Sequence, residues 1–342
     1  MSPSPFLHIE LCESQRGRAA HVRPRTSPRR NPNHEARNPM NRRIFIKSAA
    51  LAAATAAVGY NRSQAQQAGQ AQPLEPASKA VSPDLIDSNV YLSRWPYRRL
   101  PYDRTQKLAR LLKHQGVAQA WTGSFDALLH RDISAVNARL AEECAAEGSG
   151  LFVPFGAVNP TLPDWEEDLR RCHEVHRMPG IRLHPDFHGY RLDDPLFARL
   201  MELATARGLV VQIALGMEDP RTQAKIAMLA PPHPGPLADL LPKMPKARVV
   251  LLNFFREYGY NRVLLVRMNG LPQVSFDMAM VEGVDAVRSV LESVRSIRLL
   301  FGSYAPYYNF DSSRLKLQES ELSAEQLAAI RHGNATAVMQ AT

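Results

Sequence analysis

The side chains able to do chemistry stand where short apolar runs end. Asp87, Asn89 and Tyr91 alternate along Leu85-Ile86-Asp87-Ser88-Asn89-Val90-Tyr91. Arg182 and His184 alternate with Ile181 and Leu183, the period-2 pattern of a strand with one polar face. Gln212 interrupts the run Leu209–Ala214, Asn253 follows Arg248–Leu252 with Arg256 just beyond, and Tyr304 follows Arg298–Ser303. Together these types equip a polar pocket for a small ligand. Arg182 suits an anion in the pocket mouth; the plainer alternative is an inward charge paired with Asp87 or Asp277. His184 is either a working imidazole or a hydrogen-bonded support. His173 and His188 are expected at the surface.

The elements that must position these residues alternate strictly. Strands are expected at Leu85–Tyr91, Val117–Thr122, Leu151–Val158, Gly180–His184, Leu209–Ala214, Arg248–Asn253, Gln273–Asp277 and Arg298–Ser303. Amphipathic stretches such as Thr105–Gln115, with Leu108, Leu111 and Leu112 on one stripe, separate them. Pro185 stops the fourth strand, Gly189 permits a turn, and Asp193 or Asp194 can cap a helix that begins at Pro195. Strand–helix alternation implies a parallel sheet. Eight such units between 84 and 342 match the roughly 250 residues of a (β/α)8 TIM barrel. The rival, a doubly wound open sheet, is disfavoured because no Gly-x-Gly-x-x-Gly follows the first strand.

Composition narrows the function classes. The formal net charge is +9, but residues 1–65 hold eleven Lys and Arg against three Asp and Glu. Of 42 basic and 33 acidic residues, 31 and 30 therefore remain beyond position 65. The basicity belongs to the leader and argues against nucleic-acid binding. Residues 1–39 read as a disordered extension. Arg42-Arg43-Ile44-Phe45-Ile46-Lys47, an Ala-rich core and Ser63-Gln64-Ala65 resemble a twin-arginine export signal, so a periplasmic or secreted protein is expected. That core is too short and too Ala-rich for a stable membrane span. Residues 66–83 read as a flexible linker, and 84–342 as the barrel domain. Cys144 and Cys172 read as buried thiols, with a disulfide between them left open. A homo-oligomer is compatible with the sequence.

Gly180-Ile181-Arg182-Leu183-His184-Pro185, then Gly189-Tyr190 and Asp193-Asp194-Pro195-Leu196-Phe197, resembles a stretch of the amidohydrolase-related family of metal-dependent barrel hydrolases and decarboxylases. The resemblance spans about 84–340 and implies metal ligands at the strand ends. These are two His from an Asp-x-His-x-His at strand one, a His at strand five, a His at strand six, and an Asp in Gly-Ser-Asp-x-Pro at strand eight. Here those positions carry Asn89, Tyr91, Ala214, Asn253 and Tyr304. Amide oxygens and phenols are poor zinc ligands at neutral pH. The expectation is therefore a barrel without metal or other cofactor that binds a small molecule or a partner. The alternative is an active hydrolase or decarboxylase that needs no metal or has rebuilt its metal site. The Gly-Asn-Ala at 333–335 resembles the family's C-terminal packing helix.

Overall fold

The computed structural model describes residues 84–147, 149–219, 221–225 and 229–341. The leader, the expected export signal, Cys12 and the linker lie outside the described residues. Eight strands run parallel in sequential order: β1 (Leu85–Leu92), β2 (Val117–Ser124), β3 (Phe152–Ala157), β4 (Gly180–Leu183), β5 (Val210–Ala214), β6 (Arg248–Leu252), β7 (Val274–Asp277) and β8 (Leu299–Leu300). The chain after β8 comes back beside β1: the Ser88 and Tyr91 amides donate to the carbonyls of Phe301 and Ala305, each at 2.9 Å. The fold is the (β/α)8 barrel that the alternation predicts.

Helices between and after the strands include α1 (Thr105–His114), α2 (Ile133–Ala146), α3 (Trp165–Glu174), α4 (Pro195–Ala206), α5 (Leu237–Leu240), α6 (Arg262–Asn269), α7 (Ala286–Ser293) and α8 (Phe310–Glu319). Asp194, of the two acids at the start of α4, is the cap; it accepts from Leu196 N at 2.8 Å, with Pro195 in the first turn. The largest buried cluster joins the outward strand residues to the inner helix faces, for instance Ile181 and Leu183 to Phe197, Leu200 and Met201. The inward residues Val210, Val250, Leu252 and Leu300 pack with Trp121 and Phe155 inside the barrel. Gly123 lets Arg182 cross that interior, since a Cβ there would stand 2.8 Å from Arg182 Cδ.

Two sequence readings change and a third, the buried cysteines, holds. Pro185 does end β4, but the following residues form a short helix, Pro185–His188. His188 is buried instead of at the surface, its Nε2 lying 2.9 Å from the Ala127 carbonyl, whereas His173 is exposed. Cys144 and Cys172 are buried free thiols, which closes the disulfide alternative. Among the described residues no helix is long and apolar enough to cross a membrane.

Candidate functional site

The C-terminal strand ends converge on one mouth, as barrel topology requires. Deepest lies Arg182, with none of its surface in water. Its Nε donates to Gln212 Oε1 at 2.7 Å, Nη1 to the Val90 carbonyl at 2.6 Å, and Nη2 to the carbonyls of Trp121 at 2.8 Å and Ser88 at 3.2 Å. The guanidinium also lies 4.5 Å from the Tyr91 ring centroid. Gln212 Nε2 adds a bond to the Ser88 carbonyl at 2.8 Å. Arg182 thus spends its donors on main chain and Gln212, neither on an open anion site nor on direct pairing with Asp87 or Asp277. It ties β1 and β2 to β4 and β5.

Above it sits a tier of buried amides and carboxyls. Asn89 Nδ2 donates to Asn253 Oδ1 at 2.9 Å and to Asp277 Oδ2 at 2.8 Å. Asn253, just past β6 in the left-handed region with φ 61°, donates its own amide to Asp277 Oδ1 at 2.7 Å and its side chain to the Gly216 carbonyl at 2.7 Å. Asp87 Oδ1 accepts from the amides of Asn89 at 3.1 Å and Ser303 at 2.9 Å, while Asp87 Oδ2 and Asn89 Oδ1 have no partner among the described residues. Burial pushes the Asp87 carboxyl up to about 7, and raises that of Asp277. Gly302 allows this closeness: a Cβ there would meet Asp277 Oδ2 at 2.6 Å.

Aromatic rings fill the outermost tier. Tyr91 stacks on Phe125 with centroids 4.5 Å apart, and Tyr304 meets Tyr91 edge-on at 5.7 Å. Tyr304 stacks in turn on Tyr307, and Trp95 packs its edge against Phe125 and Tyr307. Tyr304 Oη donates to the Met217 carbonyl at 2.6 Å, and Tyr91 Oη lies 3.1 Å from His184 Nε2. Ala214 belongs to the same packed group. Burial holds His184 well below its ordinary pKa, with His188 and Arg182 adding to the effect, so the imidazole is neutral at pH 7. Its Nδ1 has no partner among the described residues.

Of the residues singled out from the sequence, Asp87, Asn89, Tyr91, Arg182, His184, Gln212, Asn253 and Tyr304 meet in this column. Arg256 does not enter it. The left-handed turn at Asn253 leads into a short helix, Phe254–Tyr258, and Arg256 lies on the rim, 3.1 Å from Asp219 and 3.2 Å from Glu257. Sequence reasoning passed over Asp186, half-buried at the mouth, whose carboxyl burial pushes up to about 7. It also passed over Glu218, which is buried against Arg98, while Arg98 Nη2 donates to Tyr307 Oη at 2.8 Å. Only an acid beside a strand-ending proline, and one shortly after β5, signalled these two.

A divalent ion does not fit this donor set. Among the described residues no group of three or more His, Cys, Asp or Glu converges on a common point. An amide would ligate through its oxygen, a poor zinc donor, and Asn253 Oδ1 already accepts from Asn89; the Tyr91 and Tyr304 rings are packed and Tyr304 Oη donates to the Met217 carbonyl. Open cavities bounded by described residues lie elsewhere, among them one of about 250 Å³ between α6 and α7 and three of about 300, 520 and 490 Å³ around the N-terminal strand ends. None of the four is lined by Tyr91, His184 or Tyr304.

In sequence, the family described as amidohydrolase matches residues 95–339. Among curated proteins none matches this chain. Similar solved structures include 5-carboxyvanillate decarboxylase from Sphingomonas paucimobilis, at 15% identity and TM-score 0.60, covering 76% of this chain and all of that one. 2,6-Dihydroxybenzoate decarboxylase from Rhizobium is 14% identical with TM-score 0.57, covering 75% and 98% of the two chains. Dihydroxybenzoic acid decarboxylase from Polaromonas sp. JS666, solved with bound manganese and an inhibitor, is 15% identical with TM-score 0.57, covering 75% and 96%. At such identities the likeness speaks for the fold.

Proposed function

The chain belongs to the amidohydrolase family, and from that premise we propose that it is a member without a metal centre, working by binding a small molecule or a partner. The observation that carries this reading is the packing at the strand ends. Asn89, Tyr91, Ala214, Asn253 and Tyr304 are all fully buried, and every one is engaged in ring packing or side-chain hydrogen bonds to its neighbours. Zinc affinity rests on several imidazoles or carboxylates held in orientation by further hydrogen bonds, and these positions offer none. Added zinc or manganese at micromolar concentration is expected to leave the melting temperature unchanged, and elemental analysis of the purified chain to find no stoichiometric metal. A ligand binding only the native state stabilises by about 2.7 kcal/mol at a hundredfold excess over its Kd, an effect easily read. A clear metal-dependent rise, abolished by His184→Ala, would overturn the proposal and put a rebuilt metal enzyme first.

A second reading, chemistry without metal, is favoured by Asp186. A half-buried carboxyl pushed up to about 7 at a barrel mouth is poised for proton transfer near neutral pH. Turnover by metal-free protein of carboxylated aromatics, the compounds named for the similar decarboxylases, would support this reading over binding alone. We further propose that the chain is exported, from Arg42-Arg43 and the Ala-rich run after it. Changing both arginines to lysine should hold the precursor inside the cell; unaltered export of that variant counts against the signal.

A further inference from the structure

Parallel pairing brings the residues that lead into three neighbouring strands to one place. Gly180 of β4 sits beside Val210 of β5, and Val210 beside Arg248 of β6. Arg177 stands three residues before Gly180 and Arg207 three before Val210, so both reach the N-terminal end of the barrel where Arg248 lies. Together they bound a solvent-open cavity of about 520 Å³, within the range of small-ligand sites. Met178, Leu209 and Met339 give it apolar wall.

Its charge is not balanced by protein. Arg248 donates to the carbonyls of Val338 and Met339, at 3.0 and 2.9 Å, and of Gly208; Arg207 donates to Leu203 of its own helix at 3.2 Å. Carbonyls at helix ends carry partial negative charge but no full one. Among the described residues Arg177 makes no hydrogen bond, and none of the three arginines has a carboxylate partner. The cavity's acid, Glu174, is already bonded to Arg170 at 2.6 Å. Arg177 also holds φ 50°, a left-handed conformation uncommon outside glycine.

We propose that this cavity binds a small organic molecule bearing clustered oxyanions, phosphate or paired carboxylates. Planar guanidinium forks match both groups, and the apolar wall accommodates a carbon body. The site is independent of the mouth and of any metal question.

The test is calorimetric titration of the purified chain at constant ionic strength with inorganic pyrophosphate and, separately, succinate, with sodium chloride as control. Saturable binding of at least one is expected; pyrophosphate alone assigns the phosphate class, succinate alone the carboxylate class. Arg177→Ala should weaken binding at least about tenfold, and Arg177→Lys should recover part of it. Arg207→Gln should weaken binding as well, without moving the melting temperature of the ligand-free protein by more than a degree or two. Heat that tracks ionic strength without saturating overturns the site, and so does binding that Arg177→Ala and Arg207→Gln leave intact.

Discussion

Arg182 and Arg177 lie five positions apart in sequence and at opposite ends of the barrel. Arg182 has no surface in water and gives its donors to three carbonyls and Gln212. Arg177 is exposed and makes no hydrogen bond among the described residues. In enzymes of this fold the C-terminal face carries the chemistry and the N-terminal face carries stability. Here the mouth is packed as a core, while the N-terminal face holds open cavities with unbalanced charge. The contrast teaches that a strand-end position is not a site by topology alone. With rings and amides at these strand ends, the space is interior and its polar groups bond to one another.

Removing Arg182 tests the packed end hardest. Arg182→Ala takes the guanidinium donors from the carbonyls of Val90 and Trp121, leaves that of Ser88 with Gln212 alone, and opens a cavity beneath Tyr91. We expect a loss on the order of 3–5 kcal/mol in urea denaturation. A loss below about 1 kcal/mol would mean that water or a ligand reaches this depth, and the comparison would break.

Asp87 sharpens it through pH. Its ordinary value of 3.8 is raised to about 7 by burial, with the Ser303 and Asn89 hydrogen bonds opposing and Asp277 adding a little. The native chain therefore keeps a proton that the unfolded chain has already released. The stability this gives is complete below about 3.8 and is lost as pH rises through about 7. Asp277 and Asp186, also raised, tilt stability the same way. Asp87→Asn keeps an acceptor for the Ser303 and Asn89 amides and removes the ionisation. It should match the parent near pH 4 and exceed it at pH 8, by on the order of 1–3 kcal/mol. Equal stability at both pH values would show that Asp87 is not desolvated in solution.

The framework was legible because each strand is a short apolar run and each helix a stripe, both local signals. All eight strands fall within a few residues of their expected bounds, the largest difference being β8, where Phe301–Ser303 continue the chain without ladder pairing. Meeting of the inward residues was legible too, since position on a strand end fixes it. What those residues do there was not. The partners that plug the mouth, Trp95, Phe125, Met217 and Tyr307, come from loops and one short 3-10 turn that carry no periodicity. Arg256 misled because the left-handed turn at Asn253 redirects the chain to Asp219. His188 misled because its short helix buries it against the Ala127 carbonyl, a contact 61 residues away.

The smallest expected effect belongs to the open end. Arg177 makes no hydrogen bond among the described residues, buries little, and holds φ 50°. Arg177→Ala in ligand-free protein removes a solvated side chain and keeps the same backbone strain, so its stability should change by less than about 0.5 kcal/mol. Arg177→Gly removes the strain as well, but adds freedom to the unfolded chain; these oppose each other, and the net change should stay within about 1 kcal/mol. Chemical denaturation of both variants beside Arg182→Ala checks the ordering. If Arg177→Ala costs as much as a core substitution, the N-terminal arginines are structural in the way Arg182 is, and the two ends of the barrel are alike after all. If it costs nothing while ligand binding falls, the fold leaves Arg177 free and function is what holds it there.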